Sequence, residues 1–183
     1  MEDKMKKAVI ISLVAVLCVT LLVCTACNAQ LNSISKAQKS AAEKVTSFDC
    51  VATVTDGGTV VYVYSKNLTL MTDSMSVTTV ESKLNSSFVL EEKSTSVDML
   101  LDRSLIKSVS LTSKNVSEIQ ETAEGLQCKV SNDNISSLFG VNVQADGDAV
   151  VTVSMQGDVL NTITVSFATL SGKSVVVEYS YKY

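Results

Sequence analysis

The spacing of apolar residues changes from a helical to a strand period near residue 47. Before that point apolar side chains recur every three or four residues: Ile34, Ala37, Ala41 and Val45. The positions between them carry most of the charge: Lys36, Lys39, Glu43 and Lys44. Residues spaced in this way share one face of a helix. The pattern therefore predicts an amphipathic helix over residues 33–46, with Asn32 or Ser33 as its cap.

Beyond residue 47 apolar and polar residues alternate, which is typical of β-strands with one buried face. The first such segment ends at Asp56-Gly57-Gly58, and glycine favours a hairpin turn there because it accepts positive φ. Alternation continues through residues 60–64, 68–72, 75–83, 88–93, 99–101 and 105–112. It is most regular in residues 149–155, 160–168 and 175–183, which are separated by glycine-containing turns. Short turns between successive strands predict an antiparallel meander.

Two segments within this strand pattern have helical features instead. In residues 116–124 the apolar side chains are three and four apart, and Asn115 with Glu118 resembles a capping box. Residues 134–139 predict a short helix that ends at Gly140, because glycine is a common residue just beyond a helix. The predicted fold class is mainly β (α+β), with an N-terminal helix and two short helices.

The composition excludes several classes of enzyme. The chain has 46% apolar and 19% charged residues, with no histidine and no proline. Without histidine there is no Ser-His-Asp or Cys-His constellation and no His-ligated zinc site. Glu91 and Glu92 are neighbours on a predicted strand, so they point to opposite faces and do not form a carboxylate pair. We therefore expect no enzymatic activity, no metal and no cofactor. A glycosidase that uses carboxylates alone is the remaining enzyme class.

The charge distribution argues against nucleic acid as a partner. Removing residues 1–26, which include two acidic and three basic residues, leaves 17 acidic and 12 basic residues, a net charge of −5. A surface that binds phosphates needs concentrated positive charge. No stripe rich in Lys and Arg occurs beyond the first residues of the chain.

The first 27 residues have the order of a secretory signal. Lys4, Lys6 and Lys7 precede an uncharged run over residues 8–26, as a basic segment precedes an apolar one in such signals. The run ends in Leu21-Leu22-Val23-Cys24-Thr25-Ala26-Cys27. This ending resembles the bacterial lipobox, in which an apolar residue and two small residues precede an invariant cysteine. Cys24 departs from the pattern, because leucine is usual at that position.

The lipobox resemblance implies that Cys27 carries a diacylglyceryl group and that the signal is cleaved after Ala26. The chain would then consist of a signal peptide over residues 1–26, a lipid anchor and tether over 27–32, and one β-rich domain over 33–183. The expected location is the outer face of a cell membrane, in a Gram-positive bacterium. Two alternatives stay open, an uncleaved membrane-spanning helix and an ordinary signal without a lipid.

The order of elements after Cys27 resembles the lipoprotein-carrier superfamily of LolA, LppX and LprG. Its members have a leading helix, a long antiparallel meander and helical interruptions near the middle. The resemblance covers residues 33–183 and implies a half-barrel. In this fold a strongly curved sheet wraps over an N-terminal helix and two short helices on its concave face. It also implies an apolar cavity that takes up acyl chains. The superfamily has no short motif, so no residue role is carried over.

Two cysteines of the predicted domain fall on the apolar phase of their strands. Cys50 alternates with Phe48 and Val54, and Cys128 alternates with Leu126 and Val130. Outside the cytoplasm Cys50 and Cys128 could form a disulfide. Two separate buried thiols that act as small apolar residues are the slightly favoured alternative.

A stripe of apolar residues on the last three predicted strands could line a cavity for a lipid or another amphiphile. Its members are Val151, Val153, Met155, Ile163, Val165, Phe167, Val175, Val177 and Tyr179. The same stripe is also typical of an ordinary core. Tyr179, Tyr181 and Tyr183 share one face, where an aromatic ladder is expected. The sequence thus leaves two functions open, an anchored amphiphile-binding lipoprotein and a cell-surface interaction module with a solid core, its protein partners unknown.

Overall fold

The structure, a computed structural model, describes residues 29–107 and 109–183. The described residues form an open antiparallel sheet of nine strands and two α-helices. The strands are β1 Ser47–Asp56, β2 Thr59–Leu70, β3 Ser74–Leu84, β4 Leu90–Leu100, β5 Val116–Thr122, β6 Gly125–Val130, β7 Ala145–Gln156, β8 Val159–Thr169 and β9 Ser174–Lys182. The described part of helix α1 covers residues 29–44, and helix α2 spans Ile135–Phe139. The order in the sheet is β4-β3-β2-β1-β9-β8-β7-β6-β5, so the fold is mainly β as predicted.

Helix α1 confirms the amphipathic pattern and extends it toward the N-terminus. Its buried face consists of Leu31, Ile34, Ala37, Gln38 and Ala41, and Val45 follows directly. Leu31 lies one turn before Ile34 on the same face. Its burial explains why residues 29–32 are helical as well as the segment predicted from residue 33. The part of the predicted tether that is described, residues 29–32, is therefore helical.

The N-terminal and C-terminal meanders meet at β1 and β9. Gly57 and Gly58 have φ values of 54° and 84°, and Asp56 pairs with Thr59. These values confirm the predicted hairpin turn, and the structure shows that its loop has two residues. Strand β9 pairs with β1 on one side and with β8 on the other. This pairing joins residues from the two ends of the domain into one continuous sheet.

Several predicted strand segments are parts of longer strands. Residues 60–64 and 68–72 fall mainly in β2, and residues 88–93 and 99–101 fall mainly in β4. Polar residues between the predicted segments interrupt the apolar alternation. They still pair with both neighbouring strands, as Ser65 does with Val51 and Val80. Residues 105–107 and 109–112, the described part of the segment predicted at 105–112, are not in a strand, so that prediction was wrong.

The predicted helix over residues 116–124 was also wrong, because this segment forms β5 and a tight turn into β6. The pairing of β5 with β6 shifts register between Ser117 and Gln120. Such a bulge adds one residue to the strand, so the half-buried Val116 and Ile119 are three apart instead of two. Irregular strand spacing thus imitates helical spacing. Asn115 closes the preceding turn instead, since its side chain accepts from the amide of Thr112 at 2.8 Å.

The connection from β4 to β5, residues 101–115, leads from one edge strand of the sheet to the other. We call this connection the strap. Its buried residues are Ile106, Val109 and Leu111. Gln38 of α1 donates to the carbonyl oxygen of Val109 at 3.0 Å, and Tyr181 of β9 donates to that of Lys107 at 3.0 Å. The strap therefore lies on the same face of the sheet as α1.

The core fills the space between the sheet, α1 and the strap. Opposite residues on neighbouring strands share a face, as Val151, Val165 and Val177 do on β7, β8 and β9. Phe48 packs against the rings of Tyr179 and Tyr181, with centroid distances of 6.2 and 5.3 Å. Helix α2 buries Ile135 and Leu138 and ends at Gly140, whose φ is 66°. The prediction of a short helix that ends at this glycine is confirmed.

Candidate functional site

The stripe proposed as a cavity lining lies on one face of β7, β8 and β9. Residues opposite each other in these strands include Val153 with Ile163 and Val165 with Val177. Seven members are buried: Val151, Val153, Ile163, Val165, Val175, Val177 and Tyr179. Met155 and Phe167 are partly buried and pack against them. The structure brings the nine residues together, and most of them are part of a filled core.

One apolar hollow reaches this stripe. It lies between the first turns of α1 and the ends of β6 and β7, with a volume of about 300 Å³. Its apolar lining comes from Ile34, Leu126, Val153 and Met155. Small-molecule sites have volumes of about 300–1,000 Å³, so this hollow is at the lower end of that range. It has room for a small apolar group or part of one acyl chain.

Two further hollows border α1 and have mixed polar and apolar linings. One of about 290 Å³ lies between α1 and the strap, beside Gln38, Lys39 and Lys107. The other, of about 640 Å³, follows the exposed side of α1 near Lys36 and Asp158. Neither contains a residue of the predicted apolar stripe.

The three C-terminal tyrosines are held by packing and by backbone hydrogen bonds. Burial raises the pKa of the Tyr179 and Tyr181 phenols well above the usual value. Tyr183 is 49% exposed, and its hydroxyl donates to the carbonyl oxygen of Leu160 at 3.1 Å. With its bond to Lys107, Tyr181 joins β9 to the strap. These tyrosines therefore stabilise the core and the end of β9.

The two cysteines of the domain are free. Cys50 lies on β1 and Cys128 on β6, with β9, β8 and β7 between them. Four strand spacings correspond to about 19 Å along the sheet, whereas a disulfide joins Cα atoms about 4.4–6.8 Å apart. The disulfide alternative was wrong. Burial raises the pKa of Cys128 to about 11 and also raises that of Cys50, so both thiols stay protonated near neutral pH.

Several acidic residues stabilise a turn or lie on the surface of a strand. Asp148 accepts a hydrogen bond from the amide of Asn132 at 3.2 Å, which ties the turn before α2 to β7. Glu91 pairs across the strands with Lys83, and Glu92 with Ser82, so the two glutamates lie on opposite faces. Within residues 29–107 and 109–183, no three His, Cys, Asp or Glu side chains are grouped as metal ligands.

The most exposed part of the sheet is its edge strand β4, which the sequence analysis did not single out. All eleven residues of β4 are exposed. Val97 is 54% exposed and Leu100 83% exposed. In the preceding turn Phe88 is 84% exposed and has a φ of 59°. The carboxamide of Asn85 closes this turn by accepting from the amides of Ser87 and Val89. The sequence signal for this edge was a strand with polar residues on both faces.

The opposite edge strand, β5, is built differently. It has seven residues, a register shift and a glutamate, Glu118, with a φ of 51°. Glu118 forms an ion pair with Lys129 of β6. Bulges and charges of this kind protect an edge from pairing with another chain. Strand β4 pairs with β3 over its whole length without a register shift, so it is the more regular edge.

The proposed lipidation residue Cys27 and the cleavage position at Ala26 lie outside the described residues. Among the helices that the structure describes, none has the length and hydropathy needed to cross a membrane.

Comparison with known proteins gave no match to any protein-family model and no match to a curated protein.

Proposed function

We propose that the protein is a lipoprotein anchored through Cys27 to the outer face of a cell membrane, and that its domain binds an extended segment of a protein partner along β4. The observation that carries the second part is that every residue of this eleven-residue edge strand is exposed. The lipobox resemblance at Cys27 supports the first part. The exported domain would then act as a surface interaction module.

Strand addition uses groups that an edge strand already provides. An edge strand has a row of backbone N–H and C=O groups without a partner strand, and an added strand satisfies these groups with main-chain hydrogen bonds. The regular pairing of β4 with β3 holds this row in one straight register. In β5 the register shift interrupts the row. The geometry therefore favours β4 as the edge that accepts a partner.

Exposed side chains on β4 would select the partner. Val97 and Met99 are exposed and pair with Val77 and Met75 of β3, so they continue two apolar rows of the inner face. On the same face Lys93 pairs with Glu81. A partner strand with apolar residues beside Val97 and Met99 would extend these rows, because opposite side chains on neighbouring strands pack together.

The curvature of the sheet and the position of the helices are part of the same proposal. We infer that the sheet curves over α1 as a half-barrel, with both helices on its concave face. Residues from β1 to β3 and from β6 to β9 pack in one cluster with the buried face of α1. A sheet of many strands twists and coils rather than staying flat, and curvature lets seven strands contribute to the same core.

Site-specific photocrosslinking in the native cells tests the edge. A photoreactive amino acid in place of Val97 should give one discrete crosslinked product. The same group in place of Gln120, which is exposed on β5, is the matched control and should give none. Two charges at the edge, Thr95→Lys with Met99→Lys, should abolish the product because inward-pointing charges block strand pairing. No product at Val97, or the same product at Gln120, would rule out the β4 proposal.

Mass spectrometry of the N-terminal peptide tests the anchor. We expect a chain that begins at Cys27 and carries a diacylglyceryl group. Cys27→Ser should leave the signal uncleaved and the cysteine lipid absent. A chain that begins elsewhere, or an unmodified Cys27, would contradict the lipoprotein assignment without affecting the crosslinking result.

The apolar hollow favours a second candidate function, the binding of an amphiphile. The observation is the lining of Ile34, Leu126, Val153 and Met155 between α1 and the sheet. Native mass spectrometry of residues 28–183, followed by organic extraction, should then detect a bound lipid. Met155→Trp should fill the hollow and abolish lipid binding. Met99→Trp, on the exposed edge, should leave lipid binding unchanged. A ligand-free mass that phospholipid does not change would exclude this function.

A further inference from the structure

We infer that the exposed face of α1 binds an anionic membrane surface and holds the domain down on the membrane. The face is defined by Lys36, Lys39 and Lys44, which are all exposed. This inference rests on the proposed anchor at Cys27 and specifies how the anchored domain is oriented.

The charge of α1 differs in sign from that of the rest of the domain. Residues 29–44 contain three lysines and one acidic residue, Glu43, for a net charge of +2. Residues 45–183 contain 16 acidic and nine basic residues, for a net charge of −7. An anionic surface would therefore attract the helix and repel most of the remaining domain. This asymmetry selects one orientation.

The buried and exposed faces of α1 leave the lysines available. The apolar face, with Ile34 and Ala41, is buried in the core, and residues three or four apart repeat on one side of a helix. The lysines consequently project from the opposite side. Lys107 of the strap is exposed next to Lys39 and adds a fourth positive charge. Two carboxylates, those of Glu43 and Asp158, lie along the same side.

The position of the proposed anchor places this face near the lipid. Residue 29, the first described residue of α1, follows Cys27 by two positions. Two residues span at most about 7 Å, which is less than the Debye length of about 8 Å at physiological ionic strength. The helix would therefore begin within the range of the surface potential. Clusters of basic residues near a membrane attachment point are attracted to anionic lipids in this way.

Acetylation of lysines in the lipidated protein tests the inference. The purified lipoprotein is inserted in phosphatidylcholine vesicles with or without phosphatidylglycerol, and each lysine's acetylation rate is measured by peptide mass spectrometry. We expect Lys36, Lys39 and Lys44 to react several-fold more slowly in the anionic vesicles. High salt should remove the difference. Lys83, Lys93 and Lys114 are exposed outside α1 and serve as internal controls, with rates independent of the lipid.

Two outcomes overturn different claims. A lipidated chain whose α1 lysines react equally in both vesicles would overturn the orientation and leave the anchor intact. An unmodified Cys27 would overturn the anchor and the orientation with it. Neutralising the three helix lysines to glutamine should make the rate of Lys107 insensitive to lipid composition, and the control rates should stay independent of the lipid. The same change at Lys83, Lys93 and Lys114 should leave the protection of α1 unchanged.

Discussion

The two halves of the sheet differ in how their strands are stabilised. In the half formed by β6 to β9, buried residues alternate with exposed ones, and the buried side chains pack under α1 and the strap. In the half formed by β2 to β4, burial decreases outward: β2 buries Leu68 and Leu70, β3 buries Met75, and every residue of β4 is exposed. We call these the covered half and the open half.

This difference shows that strand formation and burial are separable. The open half has continuous pairing, with eleven residue pairs between β3 and β4. Its inner face carries polar residues such as Thr79, Glu81 and Lys83, which need no cover from a helix. Cross-strand pairs of these residues stabilise the sheet only modestly. Most of the free energy of folding should therefore come from apolar burial in the covered half.

The largest expected effect is a difference in the free energy of unfolding between two variants, one with a core substitution in the covered half and one with an edge substitution in the open half. Ile163 is fully buried on β8, whereas Val97 is 54% exposed on β4. Ile163→Ala should lower the free energy of unfolding by about 3 kcal/mol, because it removes buried methyl groups and leaves a cavity. Val97→Ala should change it by less than about 0.5 kcal/mol. Urea denaturation of both variants measures the difference, and equal costs would contradict the comparison.

A second contrast uses a glycine of the covered half and a glycine of the turn that leads into the open half. Gly125, at the start of β6, has a φ of 134°, and a Cβ there would lie 2.3 Å from the carbonyl oxygen of Val153. Gly125→Ala should destabilise the fold by about 2–3 kcal/mol, because a strained backbone and a backbone clash combine. Gly57, in the turn between β1 and β2, has a φ of 54° and open space around it.

Gly57→Ala is therefore the matched control. It should cost about 1 kcal/mol, from the left-handed backbone alone. Thermal unfolding followed by circular dichroism can rank the two variants. A cost for Gly57→Ala that equals that of Gly125→Ala would show that the contact with Val153 does not matter.

The covered half was the part of the fold that the sequence predicted best. Regular alternation in β8 and β9, with glycines in the turns, gave the strands and their antiparallel order. The helical period around Ile34 and Ala41 gave α1. These predictions succeeded because one-sided burial leaves a strict period in the sequence. The helix predicted at residues 116–124 failed because a bulge changed that period locally.

The candidate sites were less predictable for a physical reason. The nine residues of the apolar stripe look the same in sequence whether they fill a core or line a cavity. That outcome depends on the position of α1 and the strap, which is set by contacts such as that of Gln38 with Val109. Strand β4 became a candidate edge only when the sheet order was known. Which strand is at an edge depends on pairing between distant segments.

A third prediction concerns the strap, which covers only part of the sheet. The hydroxyl of Tyr181 donates to the carbonyl oxygen of Lys107, so Tyr181→Phe removes one bond between β9 and the strap. We expect a loss of about 1 kcal/mol, typical of one hydrogen bond. Tyr64 is partly buried on β2 in the open half, and Tyr64→Phe should change stability by less than about 0.5 kcal/mol. Amide exchange near Lys107 should quicken only in the first variant.

The smallest effect is expected at the seam between β1 and β9, where the two meanders join. The Nζ atom of Lys182 lies 2.7 Å from the Oδ2 atom of Asp49. Burial alone would raise the pKa of Asp49, but hydrogen bonds from Lys182 and Asn67 outweigh it and hold that pKa below its usual value. A lowered folded-state pKa stabilises the fold above the unfolded pKa of about 3.9. That stabilisation is lost as the pH falls through the folded pKa.

Asp49→Asn should therefore be less stable than the unmodified chain at pH 6, by less than about 1 kcal/mol because the pair is partly exposed to solvent. The difference should begin to shrink as the pH falls below about 4 and disappear once Asp49 is protonated in the folded state. Asp56→Asn is the control, because Asp56 and Lys173 form a longer pair at 3.6 Å and Asp56 is more exposed than Asp49. Urea denaturation across this pH range measures both variants. A difference for Asp49→Asn that stays constant with pH would mean that the side chain acts at the seam through its shape rather than its charge.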